Sequence, residues 1–330
     1  MNLFVIIYVL GCVCLFEAAF FLLPLATALI YQEWNIAQTY VGCIVIALAV
    51  GFIMVMLTRK QSHEMRPKEG LAIVGLSWIV MSLIGALPFF LSGEIPNFID
   101  AFFETVSGFT TTGSTILTDV SAMSYANRMW RSFTHWVGGM GVLVFLLALL
   151  PRKNGSFMNL MSAESPGPDV SKLVPKVRDT AKYLYWIYIG LTLIELVLLL
   201  LAGMEAFDAI TLTMGTAGTG GFSVRSSGFD DYTMLQTGII AVFMLLFGIN
   251  FNFYFLILGR RFKRALKMEE VGTYLGIIFT VTAVIVIAVY PMYNDLFYTI
   301  HHVFFTVSSL ITTTGYATVD GNLWPSIALV

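Results

Sequence analysis

FTTTGST, residues Phe109–Thr115, closes a short apolar run with three threonines and a glycine. TTTG returns at Thr312–Gly315, and a variant, AGTG, stands at Ala217–Gly220. Each copy follows an apolar segment too short to cross a bilayer, roughly 98–109, 206–215 and 296–311. Twelve helical residues rise about 18 Å, against a hydrocarbon core of about 30 Å. Such a segment enters the membrane and turns back, which is tolerated only where protein or water covers its non-helical backbone.

The 330-residue chain is 58% hydrophobic and 12% charged, with a mean hydropathy of +0.83. Soluble domains run at about 25% charged, so this is an integral membrane protein. Seven segments reach the span length of about 20 residues: roughly 3–30, 36–58, 71–92, 129–150, 183–203, 233–258 and 271–291. An eighth is expected to begin near Trp324. The start, MNLFVIIYVLG, has no basic leader and a long apolar run, so it reads as a retained span and not a cleaved signal. Cys12, Cys14 and Cys43 lie in apolar runs and read as small buried hydrophobes. No Cys/His spacing resembles a metal site.

The basic residues give an orientation. Fifteen of the 18 Lys and Arg fall in three stretches, Arg59–Lys68, Arg152–Lys182 and Arg260–Lys267. All three lie on one side if the seven spans alternate, and the positive-inside rule makes that side cytoplasmic. The amino terminus is then cytoplasmic, and the short segments dip in from outside. Eleven of the 20 Asp and Glu lie outside or at the outer mouth, Glu33, Glu94, Asp295 and Asp320 among them. Asp100, Glu104 and Asp208 sit on the short segments themselves and are expected to attract cations to that mouth.

Aligned, the short segments form an internal repeat: IDAFFETVSGFTTTGSTI (99–116), AFDAITLTMGTAGTGGFS (206–223) and LFYTIHHVFFTVSSLITTTGYAT (296–318). The alignment makes Gly113, Gly220 and Gly315 equivalent. The unit is span, half-helix, Thr/Gly turn, span. The expected fold is therefore an all-α integral membrane protein of repeated span–pore half-helix–span units, the type of tetrameric cation channels, preceded by an extra two-helix hairpin. The expected divisions are the hairpin at 1–60, a first channel repeat at 70–152, a cytoplasmic linker at 153–182, a second repeat at 183–267, an incomplete third at 268–330, and no fourth. In such channels a Thr/Gly loop turns carbonyl oxygens toward the ion in place of its water shell. Glycine serves where the carbonyl must point inward in a conformation other residues resist. The half-helix directs its partially negative carboxyl end at the cation.

These residues closely resemble the TrkH/KtrB family of potassium uptake proteins over the whole length. The likeness includes the two extra spans of the TrkH branch, WRSFTHWVGGMGVLVFLLALLP (130–151), AESPGPDVSKLVPKVRDTAKYLYWIY (163–188), GTAGTGGFS (215–223) and ITTTGYAT (311–318). The resemblance implies potassium uptake across a bacterial cytoplasmic membrane by a lipid-embedded homodimer, each subunit holding its own pathway. It also implies gating by a cytosolic ring of nucleotide-binding regulatory subunits, TrkA in the TrkH branch. Carried over, the potassium ion meets Thr111, Thr112, Gly113, Gly218, Thr219, Gly220, Thr313, Thr314 and Gly315, with Thr110, Ala217 and Thr312 at the edges. The family's fourth repeat has no counterpart here, so the 330 residues are read as part of a longer chain. Relatives with Ser at the first filter glycine pass more sodium, so Gly113 favours potassium. No cofactor and no nucleic-acid partner are expected.

Rival readings are a sodium-permeable cation channel and an ion-coupled secondary transporter built on broken helices. An enzyme is not expected, for no catalytic cluster or GxxxxGK[ST] motif occurs. Glu17 and Glu195 lie within spans, where a carboxylate is a functional candidate by default. A structural partner such as a hydroxyl, Trp or Arg is the competing reading. His301 and His302 are expected at a pore-helix rim, and Gly138, Gly139 and Gly141 at a close helix approach.

Overall fold

The structure is a computed structural model that describes residues 2–59, 67–141, 177–325 and 328. Lys60, Arg66, most of the second basic loop and the second half of the expected span 129–150 lie outside the described residues. The chain divides into two compact units, Met1–Lys182 and Tyr183–Val330.

In the first unit, α1 (Leu3–Phe20) and α2 (Leu22–Ile30) together make one apolar span, and α3 (Trp34–Thr58) returns beside them. Two glycines let α1 and α3 meet backbone to backbone. A Cβ on Gly51 would stand 2.8 Å from the carbonyl of Gly11, and one on Gly11 3.0 Å from that of Gly51. Cys14 and Cys43 are buried. α3 leaves Val45, Phe52 and Leu57 exposed, as suits a surface that belongs against lipid. α4 (Pro67–Gly85) and α5 (Leu87–Leu91) form the next span. α6 (Phe98–Phe109) follows, capped by Asn97, whose side chain accepts from the amide of Ile99. α7 (Tyr125–Gly139) starts earlier than expected because Ser124 caps it, accepting from the amide of Asn127.

The second unit contains most of α8 (Val177–Leu201), then the short α9 (Ala206–Ala217) and α10 (Met234–Gly248). Thr233 and Gln236 form a capping box at the start of α10. α11 (Phe251–Leu258) and α12 (Phe262–Ala265) lead to α13 (Glu269–Tyr293), α14 (Leu296–Ile311) and a 3₁₀ turn, Gly321–Leu323. Asp295 caps α14 by accepting from the amide of Tyr298 at 3.0 Å.

One expected span is not continuous. The segment 233–258 breaks between α10 and α11, which meet at 89°. Ile249 is extended, and Asn250 caps α11 by accepting from the amide of Asn252 at 3.0 Å. The Tyr254 hydroxyl donates at 2.6 Å to the carbonyl of Leu246, which also takes the amide of Ile249 at 3.3 Å. Such substitutes let a helix break inside a membrane.

The glycine contact makes a specific expectation. Gly51→Leu should destabilise the protein by at least about 1–3 kcal/mol, the usual cost of overpacking. Gly42→Leu on the same helix, where nothing lies within 4 Å, should change little. Thermal unfolding of the detergent-solubilised protein, followed by size-exclusion chromatography, measures both.

Candidate ion-binding site

The short helices α6, α9 and α14 end in one turn written three times. Their last helical residues are Phe109, Ala217 and Ile311, followed by Thr110, Gly218 and Thr312 as caps. Next come Thr111, Thr219 and Thr313, with φ of 54°, 49° and 58°. Their amides reach back to the carbonyls of Gly108, Thr216 and Leu310 at 3.0–3.1 Å. The amides of Thr112, Gly220 and Thr314 reach those of Ser107, Gly215 and Ser309 at 2.9–3.0 Å. This is the Schellman ending of a helix, whose left-handed residue is usually glycine. Here it is threonine each time. A left-handed β-branched residue is a genuine outlier, and such strain persists only where the surroundings enforce it and clusters at functional sites.

The turns leave their carbonyls free. Among the described residues, no hydrogen bond is accepted by a carbonyl oxygen of 110–113, 218–221 or 312–315. The hydroxyls of Thr110, Thr112, Thr312 and Thr314 are occupied elsewhere. Thr110 Oγ1 donates to the carbonyl of Val106 at 2.7 Å and pairs with Thr112 Oγ1 at 2.8 Å. Thr312 Oγ1 does the same with the carbonyl of Ser308 at 2.7 Å and with Thr314 Oγ1 at 2.8 Å. Within the second unit the second and third turns are neighbours. A Cβ on Gly221 would collide with the carbonyl oxygen of Thr314 and stand 3.6 Å from the Cα of Gly315. Free carbonyls at the carboxyl ends of helices suit a bare cation.

The backbone corrects the alignment of the second repeat. Gly113 and Gly315 have φ of 75° and 84°, and the residue that matches them is Gly221, at 81°. Gly220 takes the position of Thr112 and Thr314. Ala217, expected at the edge of the turn, is the last residue of helix α9. The missed glycine had a signal: Thr111–x–Gly113, Thr219–x–Gly221 and Thr313–x–Gly315 share one pattern, hidden because GTGG offers two glycines in succession.

The acidic residues expected to draw cations are mostly engaged. Glu104 is buried; it takes Arg131 Nε at 2.8 Å, Thr115 Oγ1 at 2.9 Å and the amide of Ile116 at 3.2 Å. Asp208, also buried, takes Arg225 Nε at 2.7 Å and the Tyr232 hydroxyl at 2.9 Å. Burial, with the Asp208 carboxylate beside it, pushes the Tyr232 phenol up, so it remains a donor. Both carboxylates thus tie a short helix to the chain beyond its turn, their charge met by arginine. Asp100, partly exposed, lies in the first turn of α6. Glu33 accepts from the amide of Tyr125 at 2.7 Å, and Glu94 from that of Ser124 at 3.1 Å. The third repeat makes its tie with histidine: His302 Nδ1 pairs with Thr318 Oγ1 at 2.8 Å. His301 points elsewhere, its Nε2 pairing with Thr237 Oγ1 at 2.8 Å.

Glycines admit neighbouring helices to the turns. A Cβ on Gly138 would strike the carbonyl of Phe109 and lie 3.0 Å from Thr111 Cγ2; one on Gly248 would lie 3.0 Å from Thr312 Cγ2. Gly141, with φ of 70°, follows the end of α7.

Comparison with known proteins agrees with this architecture. The family model described as TrkH, cation transport protein, matches residues 35–293. The Trk system potassium uptake protein TrkH of Escherichia coli strain K12 is 36% identical over 325 residues, covering 96% of this chain and 67% of that protein. The protein of the same name from Halomonas elongata is 31% identical, covering 98% and 68%. The crystal structure of the potassium transporter TrkH from Vibrio parahaemolyticus superposes with a TM-score of 0.86 at 28% identity, covering 99% of this chain and 68% of that one. The chain belongs to the TrkH family of cation transport proteins and spans about two thirds of the length of these relatives.

The Glu104–Arg131 pair is open to test. Arg131→Ala would leave a buried carboxylate without its cation, at a cost of about 3–5 kcal/mol. The double variant Glu104→Leu/Arg131→Met should regain most of the lost thermal stability.

Proposed function

We propose that this chain forms part of the pathway of a potassium uptake protein. In this reading cations exchange their water shell for carbonyl oxygens of these turns, 110–113 in the first unit and 218–221 and 312–315 in the second. The observation that carries it is the thrice-repeated turn with a left-handed threonine and carbonyls that accept no hydrogen bond among the described residues. The potassium uptake named for the relatives supports the choice of ion, as does glycine at Gly113.

Inward flow needs no chemical reaction at an inside-negative potential, since one charge crossing 100 mV gains about 2.3 kcal/mol. Each turn has one left-handed glycine where the TVGYG loop has two, so discrimination against sodium should be modest and rubidium should pass. The basic segment Arg260–Lys267 would face the cytoplasm with the amino terminus and offer a docking surface to a nucleotide-binding regulatory subunit. The working unit would be a homodimer.

Gly220 and Gly221 of the second turn separate this reading from a purely structural one. In bacteria lacking their own potassium uptake, Gly221→Ala should lower uptake at least about tenfold. The left-handed conformation alone costs an alanine about 1–2 kcal/mol, and the methyl would meet the Thr314 carbonyl. Gly220→Ala, at the position filled by threonine in the other turns, should stay within about threefold. Normal uptake by the Gly221 variant would remove the site.

A further inference from the structure

Among the described residues two buried carboxyl groups stand apart from Glu69, Glu104 and Asp208, each of which accepts a hydrogen bond. Glu17 on α1 and Glu195 on α8 are fully buried, and among the described residues neither oxygen of either makes a hydrogen bond. Both stand behind the last turn of a short helix that ends in a carbonyl turn. Glu195 lies close to the Thr216 side chain. The Thr216 hydroxyl gives its hydrogen to the carbonyl of Leu212 at 2.9 Å, while the Thr216 carbonyl receives the amide of the left-handed Thr219 at 3.0 Å. Glu17, on α1, stands against the final turns of α6 in the first unit. A Cβ on Gly85 would lie 2.9 Å from Glu17 Oε1, 2.8 Å from Thr105 Cγ2 and 3.0 Å from Phe109 Cε2. Thr105 and Phe109 belong to the final turns of α6, and Trp130 Nε1 fixes Gly85 by donating to its carbonyl at 2.9 Å.

We propose that Glu195 is a positioning residue for ion selectivity: as a neutral acid it braces the last helical turn that sets the conformation of the adjacent carbonyl turn. An ionised carboxylate is disfavoured here twice, by burial without a cation and by the partially negative carboxyl end of the short helix. The neutral acid has one O–H to give. At Glu195 a taker is at hand, because the Thr216 oxygen has spent its hydrogen on Leu212 and keeps lone pairs. A side chain needed only to fill space would be served by leucine.

The proposal rests on the potassium-uptake reading, so its test is built to tell the two apart. The complete protein and its Glu195→Gln, Glu195→Leu and Glu195→Ala variants are compared for the KM for potassium and for potassium-over-sodium preference in uptake-deficient bacteria. The amount of folded protein in the membrane is measured in parallel. Glutamine, which still donates, should stay within about twofold of wild type in both quantities. Leucine and alanine should lose at least about fivefold in preference at equal amounts of folded protein. Leucine behaving as wild type would reduce Glu195 to filler and overturn the proposal. Glutamine failing as badly as alanine would show that an ionised group is required and overturn it equally. Wild-type protein that restores no potassium uptake would sink the functional reading instead. The difference in thermal stability of the purified protein between potassium and sodium then reads the same series, with the same ordering expected. That difference also decides for any variant that reaches the membrane poorly.

Discussion

Backbone carbonyls left without hydrogen-bond donors inside an apolar protein are the constraint on which the other features depend. An unsatisfied backbone group in hydrocarbon costs several kcal/mol. The described fold nevertheless holds three successive rows of them. The left-handed threonines open the turns, and the two backward amide bonds lock each turn to its helix. The Thr110 and Thr312 hydroxyls, able to donate to those carbonyls, bond back into the helix instead. Gly138 and Gly248 bring neighbouring helices against the turns without a side chain between.

The repeats conserve backbone geometry far better than side-chain chemistry. Each short helix is tied to the chain beyond its turn, but by Glu104 with Thr115 and Arg131, by Asp208 with Arg225 and Tyr232, and by His302 with Thr318. Counted from the turn, Asp208 and His302 share a position that Asp100 holds in the first repeat, where Glu104 one helical turn later makes the tie. Quasi-symmetry here is a property of φ angles and amide bonds.

That distinction explains what could be read from residues alone. The short helices were legible almost to the residue, because an apolar run that stops at Phe109 or Ile311 before threonine and glycine can neither continue as helix nor reach across a bilayer. The register of the second turn was not, because GTGG ends in two adjacent glycines and only the backbone angle selects Gly221. Hydropathy is blind to the break at Ile249, since Phe251–Leu258 is as apolar as the helix before it. Charge counting placed acids near the outer mouth but could not see that Glu104 and Asp208 meet arginines distant in sequence. It was equally unable to see that Glu17 and Glu195 meet no ion pair or hydrogen bond among the described residues.

Under the proposed function, main-chain oxygens of these turns hold a dehydrated monovalent cation, a reading that TrkH family membership and the turn geometry support. Anomalous X-ray diffraction from crystals of the complete protein grown with rubidium tests it most directly. The account predicts anomalous density at carbonyl oxygens of these turns, weakened when sodium replaces rubidium. A rubidium site elsewhere in the membrane region, with these carbonyls unoccupied at saturating rubidium, would contradict it.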